Sequence, residues 1–334
     1  MSRTTPILAT IAISAAKVAG LVALTTTISA AELPDRWLKE WPETDFSVVD
    51  VNPEQIVNGG VPRDGIPAIT GPDFHTVAEE NALDPREPVM VLERDGETPR
   101  AYPLRYLLWH EIVNDEVGGV PVAVTFCPLC NSGVVFDRRL DGRTLEFGVS
   151  GYLRFSDMIM YDRETHTWWQ QFNGDGLIGT LPHETLIALP AWLESWQSFA
   201  ERNPDALVMS APVGRLRSYG RNPYEGYDAR APFLYQGEAP PHGIDPVARV
   251  LRVGNRAWPL TRLQETRELT EAGYRITWRP GQASALDTGE IAEGREVGDI
   301  RVFDAETGAN VVHEVIFAFA FHAFKPTGEW MLGN

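Results

Sequence analysis

The sequence predicts a β-rich α+β fold of mostly antiparallel sheets with a few short helices, built as two related halves. Three observations carry that prediction: short alternating apolar runs separated by turn residues, two brief stretches of helical spacing, and a weak internal repeat. Taken in chain order, residues 1–31 have the layout of a secretory signal peptide. Arg3 and Lys17 precede an apolar run from Val18 to Leu24, and small residues from Ser29 to Ala31 offer a cleavage site. The run is too short and too rich in threonine for a membrane span, which needs about 20 apolar residues. The expected product is periplasmic or secreted, with no stable membrane span after signal cleavage. Residues 32–88 follow as an irregular N-terminal segment, because prolines such as Pro34, Pro42, Pro53 and Pro62 interrupt each candidate element.

Regular patterning begins at Val89. VMVLERDG and TPRAYPL read as a hairpin, and LRYLLWHEIVND has helical spacing up to the breaker DEVGG. PVAVTF, GVVFDR, TLEFGVSG and DMIMYDR read as antiparallel strands, with Asp141-Gly142 as one turn. AWLESWQSFAERNPDA reads as a second helix, stopped at Asn203-Pro204. Residues 89–211 thus form a CxxC-containing half. A connecting loop rich in proline and glycine covers 212–246. Residues 247–334 form a second β-rich half, ending in VIFAFAFHAF, whose length fits a strand buried on both faces.

The repeat relates these halves. Arg-Ala-Tyr-Pro-Leu at 100–104 matches Arg-Ala-Trp-Pro-Leu at 256–260, and TFCPLC at 125–130 aligns with TWRPGQ at 277–282. Ser132 then falls opposite Ser284. The second copy is degenerate and has no cysteine, so the turn itself does not need thiols.

Charge narrows the partners. With 46 acidic and 29 basic residues the net charge is −17, which disfavours nucleic acid and anionic lipid and favours a metal ion or a small molecule. Cys127 and Cys130 are the only cysteines. In an oxidising compartment they form a disulfide unless something else claims them. The residues after Cys130 alternate as a strand, so the helix N-terminus of a thioredoxin-type site is missing. A CPxC turn between strands suits a metal knuckle, which needs further ligands.

His110, one helix upstream, is the first candidate ligand and His166 the second; His322 in its apolar run reads as a core group. Met158 and Met160 share a strand face as core fillers or soft ligands. Sulfur with imidazole suits copper or zinc. Glu111 is the candidate carboxylate base beside His110. Trp168, Trp169 and Phe172 read as core or as the lining of a ligand groove. FNGDGLIG lacks the context of a dinucleotide site, and no serine-nucleophile or HExxH motif is present. The leading expectation is an exported metal-binding protein with a Cys127/Cys130/His110 centre. The alternatives are a metal-free thiol-redox or disulfide-stapled ligand-binding protein, and a hydrolase using Glu111 with His110.

The stretches WHEIVNDEVGGVPVAVTFCPLCNSGVVFDR and FGVSGYLRFSDMIMYDRETHTWWQQF resemble a family of exported bacterial and archaeal proteins, domain-of-unknown-function family 3179. The resemblance is specific from about Val89 to Thr180 and looser beyond. It implies no particular reaction. Its motif positions fall here on His110, Glu111, Asn114, Cys127, Cys130, Ser132, Gly151, Asp157, Tyr161, Asp162 and Trp169.

Overall fold

The computed structural model describes Met1, residues 33–214 and residues 217–333. The expected signal peptide therefore lies outside the described residues apart from Met1. Strands hold 37% of residues against 16% in helices, so the β-rich expectation stands. Among the described residues no helix is long and apolar enough to cross a membrane.

One unit is built twice. In the first half, Pro88–Leu92 pairs antiparallel with Arg100–Pro103, and the chain then enters the helix Leu104–His110. In the second, Arg249–Val253 pairs with Arg256–Pro259 and enters the helix Leu260–Thr266. A proline precedes each helix, with φ fixed near −60° ready for its first turn. Each helix stops at a residue forced to positive φ: Glu111 at 57° and Arg267 at 64°. Both backbone carbonyls then accept the same ladder bond, from Phe126 N and Trp278 N, each at 2.8 Å. The aromatic of the repeated Arg-Ala-aromatic-Pro also keeps its role. Tyr102 donates to Asp115 and Trp258 Nε1 to Glu271, each at 2.6 Å.

A three-strand meander follows in each half. Ile112–Val117, Val120–Cys127 and Ser132–Asp137 form the first, and Glu268–Glu271, Tyr274–Arg279 and Asp299–Asp304 the second. Each unit closes with a strand, a short helix and a parallel strand. These are Ala191–Ser195, Trp196–Arg202 and Leu207–Met209, then Glu314–Phe317, Ala318–Phe324 and Glu329–Trp330.

The halves differ first inside the meander: residues 128–131 turn the chain in the first, whereas 280–298 connect the same strands in the second, so the tight turn expected at TWRPGQ is not repeated. They differ again in what separates meander from closing strand. Residues 305–313 suffice in the second. In the first, the chain instead builds an inserted sheet from Phe147–Arg154, Asp157–Asp162, Trp168–Gln170 and Gly176–Ile178, edged by Ile56–Asn58 of the N-terminal segment. That sheet has its own core. Trp168 packs on Trp37, Trp41, Phe46 and Tyr152 at centroid distances of 4.9–5.9 Å. The N-terminal segment is thus less irregular than expected: it supplies the helix Asp35–Glu40, whose Trp37 is fully buried.

Three other expectations are corrected. The first helix ends at His110, and Ile112–Val117 is a strand, because the left-handed Glu111 breaks the helical path and the β-branched pair Ile112-Val113 joins the sheet. Ala191–Ser195 is a strand and only Trp196–Arg202 a helix, capped by the Ser195 side chain accepting from Ser198 N. The C-terminal apolar run is a strand only to Phe317. Ala318–Phe324 is a helix that presents Phe319 and Phe321 to the main core. An apolar run buried all round has no period by which strand and helix can be told apart.

Candidate metal centre

The thiols stand on the hairpin between Val120–Cys127 and Ser132–Asp137, where Cys127 faces Ser132 across the ladder. The turn is drawn tight by Cys130 N donating to Cys127 O at 3.3 Å and Asn131 N to Pro128 O at 3.2 Å. Asn131 takes φ 53°, a conformation asparagine tolerates better than most residues. The second half clamps this turn: Phe317 N donates to Cys130 O, Asn131 Nδ2 to Val315 O, and Ser132 Oγ to Glu314.

A second hairpin, from the inserted sheet, meets the first. Arg154 pairs with Asp157, so Phe155 and Ser156 form a two-residue turn, and both have positive φ, 51° and 66°. Turns of this type favour Asn-Gly, and a bulky Phe155 there is strained. The strain is held by packing of Phe155 on Phe324 and by Ser156 Oγ donating to Phe233 O. Its result is that Ser156 O receives both sulfurs, Cys130 Sγ at 3.4 Å and Cys127 Sγ at 3.9 Å.

The next residue, Asp157, completes a three-residue group with Cys127 and Cys130, whose ligand atoms all lie within 4.8 Å of one another. Asp157 Oδ1 accepts from Gln170 Nε2 at 2.6 Å and Phe172 N at 3.0 Å, which fixes the carboxylate plane. Asp157 Oδ2 is buried and has no hydrogen-bond partner.

The surroundings of these groups favour their neutral forms. Burial raises the Asp157 carboxyl to about 7, against the pull of Gln170, the Phe172 amide and the Cys130 thiol. Burial also lifts both thiols, Cys130 well above its usual range. Glu111 is raised to about 7 by burial, although Tyr224 donates to it at 3.1 Å. The charges that act on the two thiols and on Asp157 are those of one another, Glu111 and Glu314. Desolvating a bare charge costs several kcal/mol, so a bound cation would favour the ionised form of each of these groups. The thiols are free, which corrects the disulfide-stapled reading.

A cavity of about 360 Å³ reaches the group from one side. Cys127, Glu111 and Met158 line it together with Tyr224, Tyr227 and Phe233 of the connecting loop. That loop is therefore part of the site rather than a spacer. Met160 is wholly buried in the main core, on the same strand face as Met158. Trp168, Trp169 and Phe172 are fully buried core residues, so they line no open groove.

Of the sequence candidates, Cys127, Cys130 and Glu111 converge. His110 is not in the three-residue group; its Nδ1 lies 2.7 Å from Pro67 O and its Nε2 2.8 Å from Tyr219 Oη. His166 occupies the turn after Asp157–Asp162, with Nδ1 3.2 Å from Arg63. His322 lies in a helix, not a strand. Sequence reasoning missed Asp157 as the third member of the thiol group. The available signal was its place among the family motif positions and its position at the start of a strand, directly after a turn.

The chain belongs to the family described as "Protein of unknown function (DUF3179)", whose model matches residues 63–328. No curated protein and no solved structure matches it.

Proposed function

We propose that this DUF3179 member binds a zinc or copper ion through Cys127, Cys130 and Asp157. The observation that carries the reading is the unpartnered Asp157 Oδ2 beside two free, buried thiols. A buried polar atom without a partner costs about 1–3 kcal/mol, and a bound cation removes that cost. Two sulfurs and one carboxylate oxygen suit a borderline or soft ion, and three protein ligands leave one position of a tetrahedral site open. The open position would face the cavity, where Glu111, titrating near neutrality, is placed to take up or release a proton. A metal-free thiol-redox role is less well supported. Reactive thiols need a lowered pKa, and burial drives both of these upward.

Metal analysis of the purified full chain tests the proposal. One equivalent of zinc or copper, lost in Cys130→Ser and in Asp157→Asn while the fold persists by circular dichroism, is the expected result. Folded wild-type protein that takes up neither ion from a buffered metal solution would overturn it.

A further inference from the structure

The meander of the second half has an open face that the first half lacks. In the first, Ala123, Thr125 and Cys127 alternate along one strand and are buried, and Gln171, directly after the inserted strand Trp168–Gln170, donates to Thr125 Oγ1. The repeat replaces these residues with Arg275, Thr277 and Arg279, and no inserted sheet covers them. They border a cleft of about 520 Å³ together with Arg301, which pairs across the ladder with Thr277. Arg275 and Arg279 are the diagonal neighbours of Arg301, close enough for three guanidinium groups to meet.

The acids bordering this cleft are already committed. Glu194 is tied to Arg202, Asp299 accepts from Ser195 and Ser198, and Glu201 accepts from Gln197. The arginines are not matched in the same way. Arg279 makes no side-chain hydrogen bond or ion pair among the described residues, and Arg275 reaches Glu268 only at 3.9 Å. Arg301 stacks 3.6 Å over Trp192 and donates Nη2 to Asn310, but its buried Nε has no partner. Burial, with the charges of Arg202 and Arg279, lowers its pKa to about 10 against the opposing pull of Glu194 and Glu93, both already paired with Arg202. In a chain of net charge −17, three under-compensated arginines on one concave face run against the general surface.

We infer that this cleft is an oxyanion site, taking the phosphate or carboxylate groups of a small polyanion between Arg275, Arg279 and Arg301. Planar guanidinium forks bind such groups in bidentate fashion, and the anion would offset the repulsion among three like charges. The volume is in the range of small-molecule pockets and exceeds the need of a single phosphate. The site does not depend on the metal reading, since no residue is shared.

Titration of the full-length protein at low ionic strength with inorganic phosphate, and separately with citrate, tests this by calorimetry and thermal shift. Saturable binding of one or both is expected; phosphate alone would mark a phosphoryl ligand, citrate alone a carboxylate one. Arg279→Gln, at an exposed position, and Arg275→Gln should each weaken binding about tenfold or more, the loss of one charge-assisted contact. Arg143→Gln, an exposed arginine of the first half, should leave it unchanged. Absence of saturable binding by both anions, or binding insensitive to both arginine variants, would overturn the inference, as would an equal loss of binding in Arg143→Gln.

Discussion

In the first half the strand Val120–Cys127 ends in a buried thiol beneath an inserted sheet; in the second, Tyr274–Arg279 ends in an exposed arginine over an open cleft. The two strands otherwise share a helix entered through proline, a left-handed residue whose carbonyl is bridged to the strand, and an aromatic-to-acid hydrogen bond. The comparison separates frame from chemistry. The frame is carried by positions that play the same part in both copies, even where the residue differs, as at Glu111 and Arg267. The chemistry comes from side chains at the end of one strand and from what lies across from them. Ser156 and Asp157 have no counterpart in the second half, because residues 305–313 are too few to build the covering sheet.

The contrast can be broken by substitution. The largest expected effect is on metal content: Cys127→Ser or Asp157→Asn should reduce it from stoichiometric to background by elemental analysis. Next, Trp168→Ala removes the centre of the inserted sheet's own core. It should lower stability by about 3–5 kcal/mol in denaturant unfolding. A value under about 1 kcal/mol would mean that this sheet's packing does not support the first half.

A smaller effect concerns pH. Glu111 has its pKa raised from 4.5 to about 7 on folding. The folded state therefore holds a proton that the unfolded state releases in that interval, and stability falls as pH rises from about 4.5 to 7. Asp157, raised from 3.8 to about 7, adds a slope of the same sign, so chelated protein should show both and Glu111→Gln should reduce the total by about half; equal slopes in the two proteins would remove Glu111 as a titrating group. His110→Ala should cost about 1–3 kcal/mol through its lost ring partners yet leave the metal bound. Loss of metal there would restore His110 as a ligand. The smallest effect is an expected zero. Placing both thiols in the second copy, Arg279→Cys with Gln282→Cys, should create no metal site, since no carboxylate corresponds to Asp157.

Much of the frame was legible because its signals are local. Proline before an apolar helical period, alternation in PVAVTF and GVVFDR, and the strand–CxxC–strand turn each express backbone geometry within a few residues. The C-terminal run misled because Ala318–Phe324 is apolar except for His322, and the end of the first helix was obscured because a glutamate takes a conformation usually left to glycine. The site was half legible. Cysteines advertise themselves, and histidine is the usual companion of thiolate, so His110 drew attention that its contacts with Pro67 and Tyr219 redirect. Asp157 gave no comparable sign, since a carboxylate at a strand start is ordinarily solvated.

By itself, the sequence determined the repeated frame, the acidic character and the placing of two thiols on one tight turn, since each depends on chain-local stereochemistry or on composition. Tertiary structure alone decided that Asp157 completes the thiol group, that the connecting loop walls the cavity and that three arginines share an open face. Those facts depend on which separate hairpins pack together, and packing is settled by burial over the whole core rather than by any short stretch.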